Sequence, residues 1–235
     1  MPTINLSDYP PPADVLKNEK EALRFLSTNR DIATHYSRFF SDAQNGYKKL
    51  DSIKRIQPGS TLLDFESSMD IKVNNNLRRV FVGGLIRLDD NKTYTNISYS
   101  MAISEQNSPS KVLRRFHFDY DAGNDDCSRS VKPFYHLQYG GRNTPGMKQE
   151  GFDYIHIKHS DPEFSVPRIS YFPMSLIFLV YLVLKEFDKE HLEILAKPGW
   201  HAQLCKSEKL MLEPFYKTCC KAIDHDKSIL MDCYY

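Results

Sequence analysis

Aromatic and charged residues alternate along RRFHFDYDAG, residues 114–123. Phe116, Phe118 and Tyr120 fall on one parity, whereas the charged side chains of residues 115, 117, 119 and 121 fall on the other. Side chains of a β-strand point alternately to its two faces, so the segment predicts a strand with one apolar and one charged face. The charged face is either an ordinary solvated sheet surface or one wall of a functional site.

Helical and strand patterns occupy separate parts of the chain. Asp14 is a suitable N-cap for a helix to about Ser27, and a second helix is predicted from Ile32 to near Ile56, with a break around Asn45-Gly46. Helical spacing returns after Pro167, where Pro173 suits the first turn of an apolar helix. Helices, then strands, then helices predict an α+β fold.

Six segments in the middle of the chain read as strands. Their short links favour an antiparallel meander, a central sheet of about five to six strands flanked by the N-terminal and C-terminal helices. The stretch 93–103 has the clearest half-buried alternation. The predicted strands are 61–65, 78–88, 93–103, 114–121, 133–139 and 152–158. We expect a single domain, 1–235, that consists of a helical part, 1–58, a sheet, 61–160, and a second helical part, 168–235.

Three successive predicted strands each carry a histidine near the middle. The parity of polar and apolar residues agrees on all three strands, so these histidines are expected on one face of the sheet. Directly opposite side chains on neighbouring antiparallel strands stand about 5 Å apart. The predicted cluster consists of His117, Asp119, His136, Gln138, His156 and Lys158, with Arg115 beside it.

These residue types suit phosphate chemistry. A histidine beside a carboxylate, as in His117, Asp119 and His136, acts as a general acid or base near neutral pH. Arg115, Gln138, His156 and Lys158 are candidate ligand-binding residues, with Arg115 or Lys158 clamping a phosphate. They serve a non-catalytic pocket for a small anion equally well. No spacing is diagnostic of a metal site, and the sequence identifies no cofactor.

A second candidate lies at Arg30 and His35. Arg-x4-His is similar to the signature of HEPN-type ribonucleases, in which the arginine stabilises phosphate charge and the histidine acts as acid or base. In that family the motif usually lies late in a wholly helical domain, whereas strands follow it here. Helix capping or a surface helix explains the same residues.

Composition excludes several broad classes. The formal net charge is +1, so no global field favours nucleic acid or membranes. The five cysteines form no CxxC, and the N-terminus has no apolar run, which favours a cytoplasmic protein. The most apolar segment, 172–184, holds 13 residues, whereas a membrane span needs about 20. We expect a buried helix there.

The runs HFDYD, PFYHLQYGG and VPRI, followed by the apolar helix, resemble a set of uncharacterised bacterial proteins from defence or toxin–antitoxin-type loci. The resemblance covers about residues 114–188 and implies a prokaryotic protein that works with a partner protein or nucleic acid. The function expected is therefore binding of a nucleotide, a nucleic acid or a partner at the His/Asp face, with or without phosphodiester chemistry. The alternative is a non-catalytic accessory protein that assembles through apolar helices such as 173–184.

Overall fold

A computed structural model describes residues 10–28, 36–48, 61–91, 94–121, 135–139 and 168–224. Two helices, α1 (Pro12–Thr28) and α2 (Ser37–Lys48), precede the sheet. Helix α1 begins two residues before Asp14, the expected N-cap, because a proline at the first helical position needs no N–H partner. Helix α2 continues through Asn45-Gly46 without the predicted break.

The middle of the chain is an antiparallel meander, so the predicted α+β class is confirmed. Four long strands form the sheet: β1 (Thr61–Val73), β2 (Asn76–Leu88), β3 (Tyr94–Glu105) and β4 (Ser108–Asp121). Two short segments, β5 (Tyr135–Tyr139) and β6 (Arg168–Ser170), continue the pairing beyond β4. Strand β1 is longer than the predicted 61–65, because polar residues follow its apolar start and still pair along β2.

One face of the sheet packs against the helices. Val82, Met101 and Phe116 follow one another across β2, β3 and β4. Val82 and Met101 belong to the main hydrophobic cluster together with residues of α1 and α2, and Phe116 packs against it. Buried Ser67 of β1 donates a hydrogen bond to Asp42 Oδ2 of α2 at 2.7 Å, which fixes the helix on the strand. The aromatic parity of β4 is therefore the core face.

The other face is also withdrawn from water. Ser98 and Ser100 of β3 are 5% and 3% exposed, although the alternation had predicted a half-buried strand with these serines outward. Phe81 and Leu85 of β2 are buried on the same side, outside the main hydrophobic cluster. The alternation correctly assigns residues to the two faces of the sheet, but it does not predict that both faces are buried.

The C-terminal part is helical, as predicted, but irregular. Helix α3 (Leu176–Leu182) begins after Ser175, whose Oγ accepts a hydrogen bond from the Phe178 N–H at 3.4 Å, so Pro173 precedes the helix instead of entering its first turn. The remaining elements are a π-helical turn (Val183–Phe187), a 3₁₀ helix (Lys189–Ala196), α4 (Pro198–Ser207), a second π-helical turn (Glu208–Leu212) and α5 (Glu213–Asp224).

Helix α3 is a core element, as its apolar sequence predicts. All five residues from Leu176 to Val180 are at most 6% exposed. No helix in the described part of the chain is long and apolar enough to cross a membrane. The predicted strand 152–158 and the Arg30–His35 motif lie outside the described residues.

Truncation of Leu179 tests the assignment of α3 to the core. This side chain is 0% exposed, and Leu179→Ala should lower the free energy of unfolding by about 2–5 kcal/mol through lost burial and a cavity. Leu192→Ala, at a residue 37% exposed on the 3₁₀ helix, is the control and should change it by about 0.5 kcal/mol or less. Equal effects in urea denaturation would contradict the assignment.

Candidate functional site

The sheet register brings four of the predicted site residues together. Strand β4 pairs with β5 so that His117 lies opposite Gln138 and Asp119 lies opposite His136. This is the arrangement that parity predicts. His156 and Lys158, expected on the third histidine-bearing strand, lie outside the described residues, and the described neighbour of β5 is β6.

The strand register also brings to this face three residues that the sequence analysis did not identify. Ser100 and Ser98 of β3 lie opposite His117 and Asp119 on the other side of β4. Arg168 of β6 lies opposite Gln138, in the same row as His117. The serines could have been found by extending the parity argument to β3, whereas a three-residue strand such as β6 leaves no pattern to detect.

The centre of this polar face is buried. Arg115 and His117 are each 1% exposed, and Ala102, opposite Arg115, is 0% exposed. Asp119 is half-buried, so exposure increases along β4 from Arg115 toward Asp119. The interpretation as a solvated sheet surface is therefore wrong at Arg115 and His117.

Burial has an electrostatic consequence for Arg115. Desolvation lowers the pKa of its guanidinium to about 10, so the side chain keeps its positive charge at neutral pH. An ionised group withdrawn from water costs several kcal/mol unless acceptors or an opposite charge compensate it. Arg115 therefore carries a positive charge in a part of the sheet that is withdrawn from water.

Asp119 is held in place by a short hydrogen bond. Ser98 Oγ donates to Asp119 Oδ1 at 2.5 Å, the length typical of a bond to an ionised acceptor. In the register of β4 and β5, Asp119 lies opposite His136. A fixed carboxylate opposite a histidine is the arrangement that orients an imidazole for proton transfer.

A small cleft opens beside Asp119, with a volume of about 10 Å³, room for about one water molecule. Burial raises the pKa of Tyr135 well above its usual value, which keeps that phenol protonated. The cleft is aromatic, and Asp119 is the residue that it shares with the polar face. Its walls are formed by Ile97, Phe118, Asp119, Tyr120, Tyr135, Phe172 and Met174.

Within the described part of the chain, no three His, Cys, Asp or Glu side chains are grouped so that they could hold a metal ion. No protein-family description, curated protein or solved structure matches the chain. The resemblance to proteins of bacterial defence loci accordingly stays a prediction.

A double-mutant cycle tests the bond between Ser98 and Asp119. Ser98→Ala and Asp119→Ala should each destabilise the protein, and the double variant should lose less than the sum, because both remove the same interaction. We expect a coupling energy of about 1.5–3 kcal/mol, the range for hydrogen bonds to charged groups, from urea denaturation of the four proteins. Strict additivity would show that the contact does not form in solution.

Proposed function

We propose that the chain binds a phosphate-bearing ligand, a nucleotide or a nucleic-acid end, on the polar face of β3, β4 and β5. The observation that supports this most directly is the pair Arg115 and His117, two positions apart on one strand and each 1% exposed. Two such side chains are rarely buried together in a β-sheet, because removing them from water costs free energy. An anion bound there would be held by a guanidinium and an imidazole in a place shielded from water, where such contacts are strong.

Each side chain has a chemical role in such a complex. The Arg115 guanidinium is planar and matches two phosphate oxygens at once. His117, or His136 on the neighbouring strand, would donate or accept a proton if a phosphodiester is cleaved. Asp119, fixed by Ser98, would orient the histidine, and Gln138 and Arg168 lie in the same row as His117 by register.

The ligand would approach from the Asp119 end of β4. Asp119 is half-buried, whereas Arg115 and His117 are each 1% exposed. The aromatic cleft beside Asp119 is lined mainly by residues of the other parity and is too small to admit a phosphate, so it is not the path of the ligand.

As part of the proposal, and because of the resemblance of residues 114–188, we assign this activity to a prokaryotic defence or toxin–antitoxin-type system with a nucleic-acid or protein partner. The accessory-protein alternative relied on the apolar helix 173–184 as a partner surface. Residues Leu176–Val180 are buried within the protein itself, so that helix offers no exposed apolar face.

Neighbouring arginines provide a matched test of binding. Arg115→Gln should weaken binding of nucleoside phosphates or of 5′-phosphorylated oligonucleotides at least tenfold, because a charge-assisted contact contributes about 1.5–3 kcal/mol. Arg114→Gln removes the same charge from the adjacent exposed position on the other parity and should leave affinity unchanged. Isothermal titration calorimetry measures both variants.

Two results would contradict the binding proposal. One is the absence of heat when the wild-type protein is titrated with phosphate, mononucleotides and oligonucleotides. The other is an equal loss of affinity in the Arg114 and Arg115 variants, which would indicate a nonspecific charge effect.

Double substitution of His117 and His136 by alanine tests for chemistry separately from binding. If the protein cleaves a phosphodiester, the double variant should lose about 100-fold or more in kcat, since general acid–base groups contribute about 10²–10⁴-fold. Cleavage of a labelled oligonucleotide is the measurement. Unchanged turnover in a folded double variant would exclude the catalytic role, whereas ligand affinity would still report on the binding site.

A further inference from the structure

Aromatic rings connect the Asp119 end of β4 to the surface of α5. The ring centroids of Tyr120 on β4 and Tyr135 on β5 are 5.1 Å apart, and Tyr135 lies 5.7 Å from Phe215 of α5. Phe215 in turn lies 5.4 Å from Tyr216. Because Tyr216 is 51% exposed, this row of rings runs from the end of the strand to solvent.

A further ring, Tyr171, comes to the same place from the end of β6. The Tyr171 N–H donates a hydrogen bond to the Tyr135 carbonyl at 3.0 Å, and the Tyr171 side chain is half-buried. Burial and the neighbouring Tyr216 phenol raise the pKa of Tyr171. Three rings, Tyr171, Phe215 and Tyr216, thus form an aromatic rim beside the start of β5.

The aromatic rim begins where the polar face ends. The cleft beside Asp119 is lined by Tyr120, Tyr135 and Phe172, and the stacked rings of Phe172 and the adjacent residue 171 have centroids 4.1 Å apart. His136, next to Tyr135 on β5, lies opposite Asp119. The cleft has room for about one water molecule, so the part of a ligand that follows a bound phosphate would lie outside it, along the rim.

The charges beside the exposed ring do not oppose a nucleic acid. Glu213 and Lys217 flank Tyr216 on α5, and Lys217 Nζ lies 2.5 Å from Glu213 Oε1, so the two charges compensate each other. Every nucleobase has a π-face that can stack on an aromatic side chain, whatever the sequence. In a duplex the bases are already stacked on one another, so an exposed ring selects for a single strand.

We propose that Tyr216, with Tyr171 beside it, stacks on the bases of a single-stranded nucleic acid whose terminal phosphate is bound at Arg115 and His117. This inference rests on the proposed phosphate site and names its substrate class, a single-stranded oligonucleotide in place of a mononucleotide or a duplex. The phosphate fixes the end of the strand, and the rim holds the bases that follow.

Substitution of Tyr216 tests the stacking. Tyr216→Ala should weaken binding of a 5′-phosphorylated, 3′-labelled oligothymidylate about tenfold or more, measured by fluorescence anisotropy, because one base loses its stacking partner. Affinity for inorganic phosphate, measured by calorimetry, should stay unchanged. Tyr216→Phe retains the ring and should bind the oligonucleotide like the wild-type protein. The side chain is half-exposed, so these substitutions should leave the fold intact.

Tyr139 provides the matched control. It is 49% exposed, almost the same as Tyr216, but it lies at the opposite end of β5, against Phe116. Tyr139→Ala should therefore leave oligonucleotide affinity unchanged.

Three results would overturn the stacking proposal: wild-type oligonucleotide affinity in Tyr216→Ala, an equal loss in Tyr139→Ala, or equal affinity of the wild-type protein for the same strand in a duplex. Arg115→Gln separates this failure from that of the phosphate site. If Arg115→Gln loses phosphate binding while Tyr216→Ala has no effect, the stacking proposal alone is wrong. If Arg115→Gln binds phosphate and oligonucleotide like the wild-type protein, the phosphate site is wrong, and with it the placement of the strand end.

Discussion

Burial of both faces of the sheet is the constraint on which the other features depend. One face of β4 packs its aromatic residues into the main core, and the other places Arg115 and His117 out of water. A sheet with one wet face could carry these charged side chains at no cost. Here the desolvation cost of Arg115 and His117 must be compensated inside the protein, whether or not the polar face binds a ligand.

This constraint explains what the sequence could and could not reveal. Alternation along 114–121 identifies the strand, and the matching parity of 135–139 identifies its partner face, because a strand has a strict period of two. The pairing of His117 with Gln138 comes from the strand register, which parity leaves open because a shift of two residues keeps every side chain on its face. Whether a face is covered depends on distant segments, and parity contains no information about them.

Other features were out of reach for local reasons. Strand β6 has three residues, too few for any periodic pattern, so Arg168 gave no sign of joining the site. Asp188 and His191 have the i, i+3 spacing that any helix surface shows, and only the π-helical turn and the kink at His191 make them a buried pair. Buried polar pairs that depend on irregular backbone have no local sequence signature.

The π-helical turn Val183–Phe187 and the polar face are joined by one aromatic contact. Phe187, immediately before Asp188, has its ring centroid 6.2 Å from that of Phe116. Phe116 stands on β4 between Arg115 and His117, with its ring on the core face and its neighbours on the polar face. Strands shift as units because their ladder hydrogen bonds resist local distortion. A change in the position of Phe187 would therefore act on the backbone that holds Arg115 and His117.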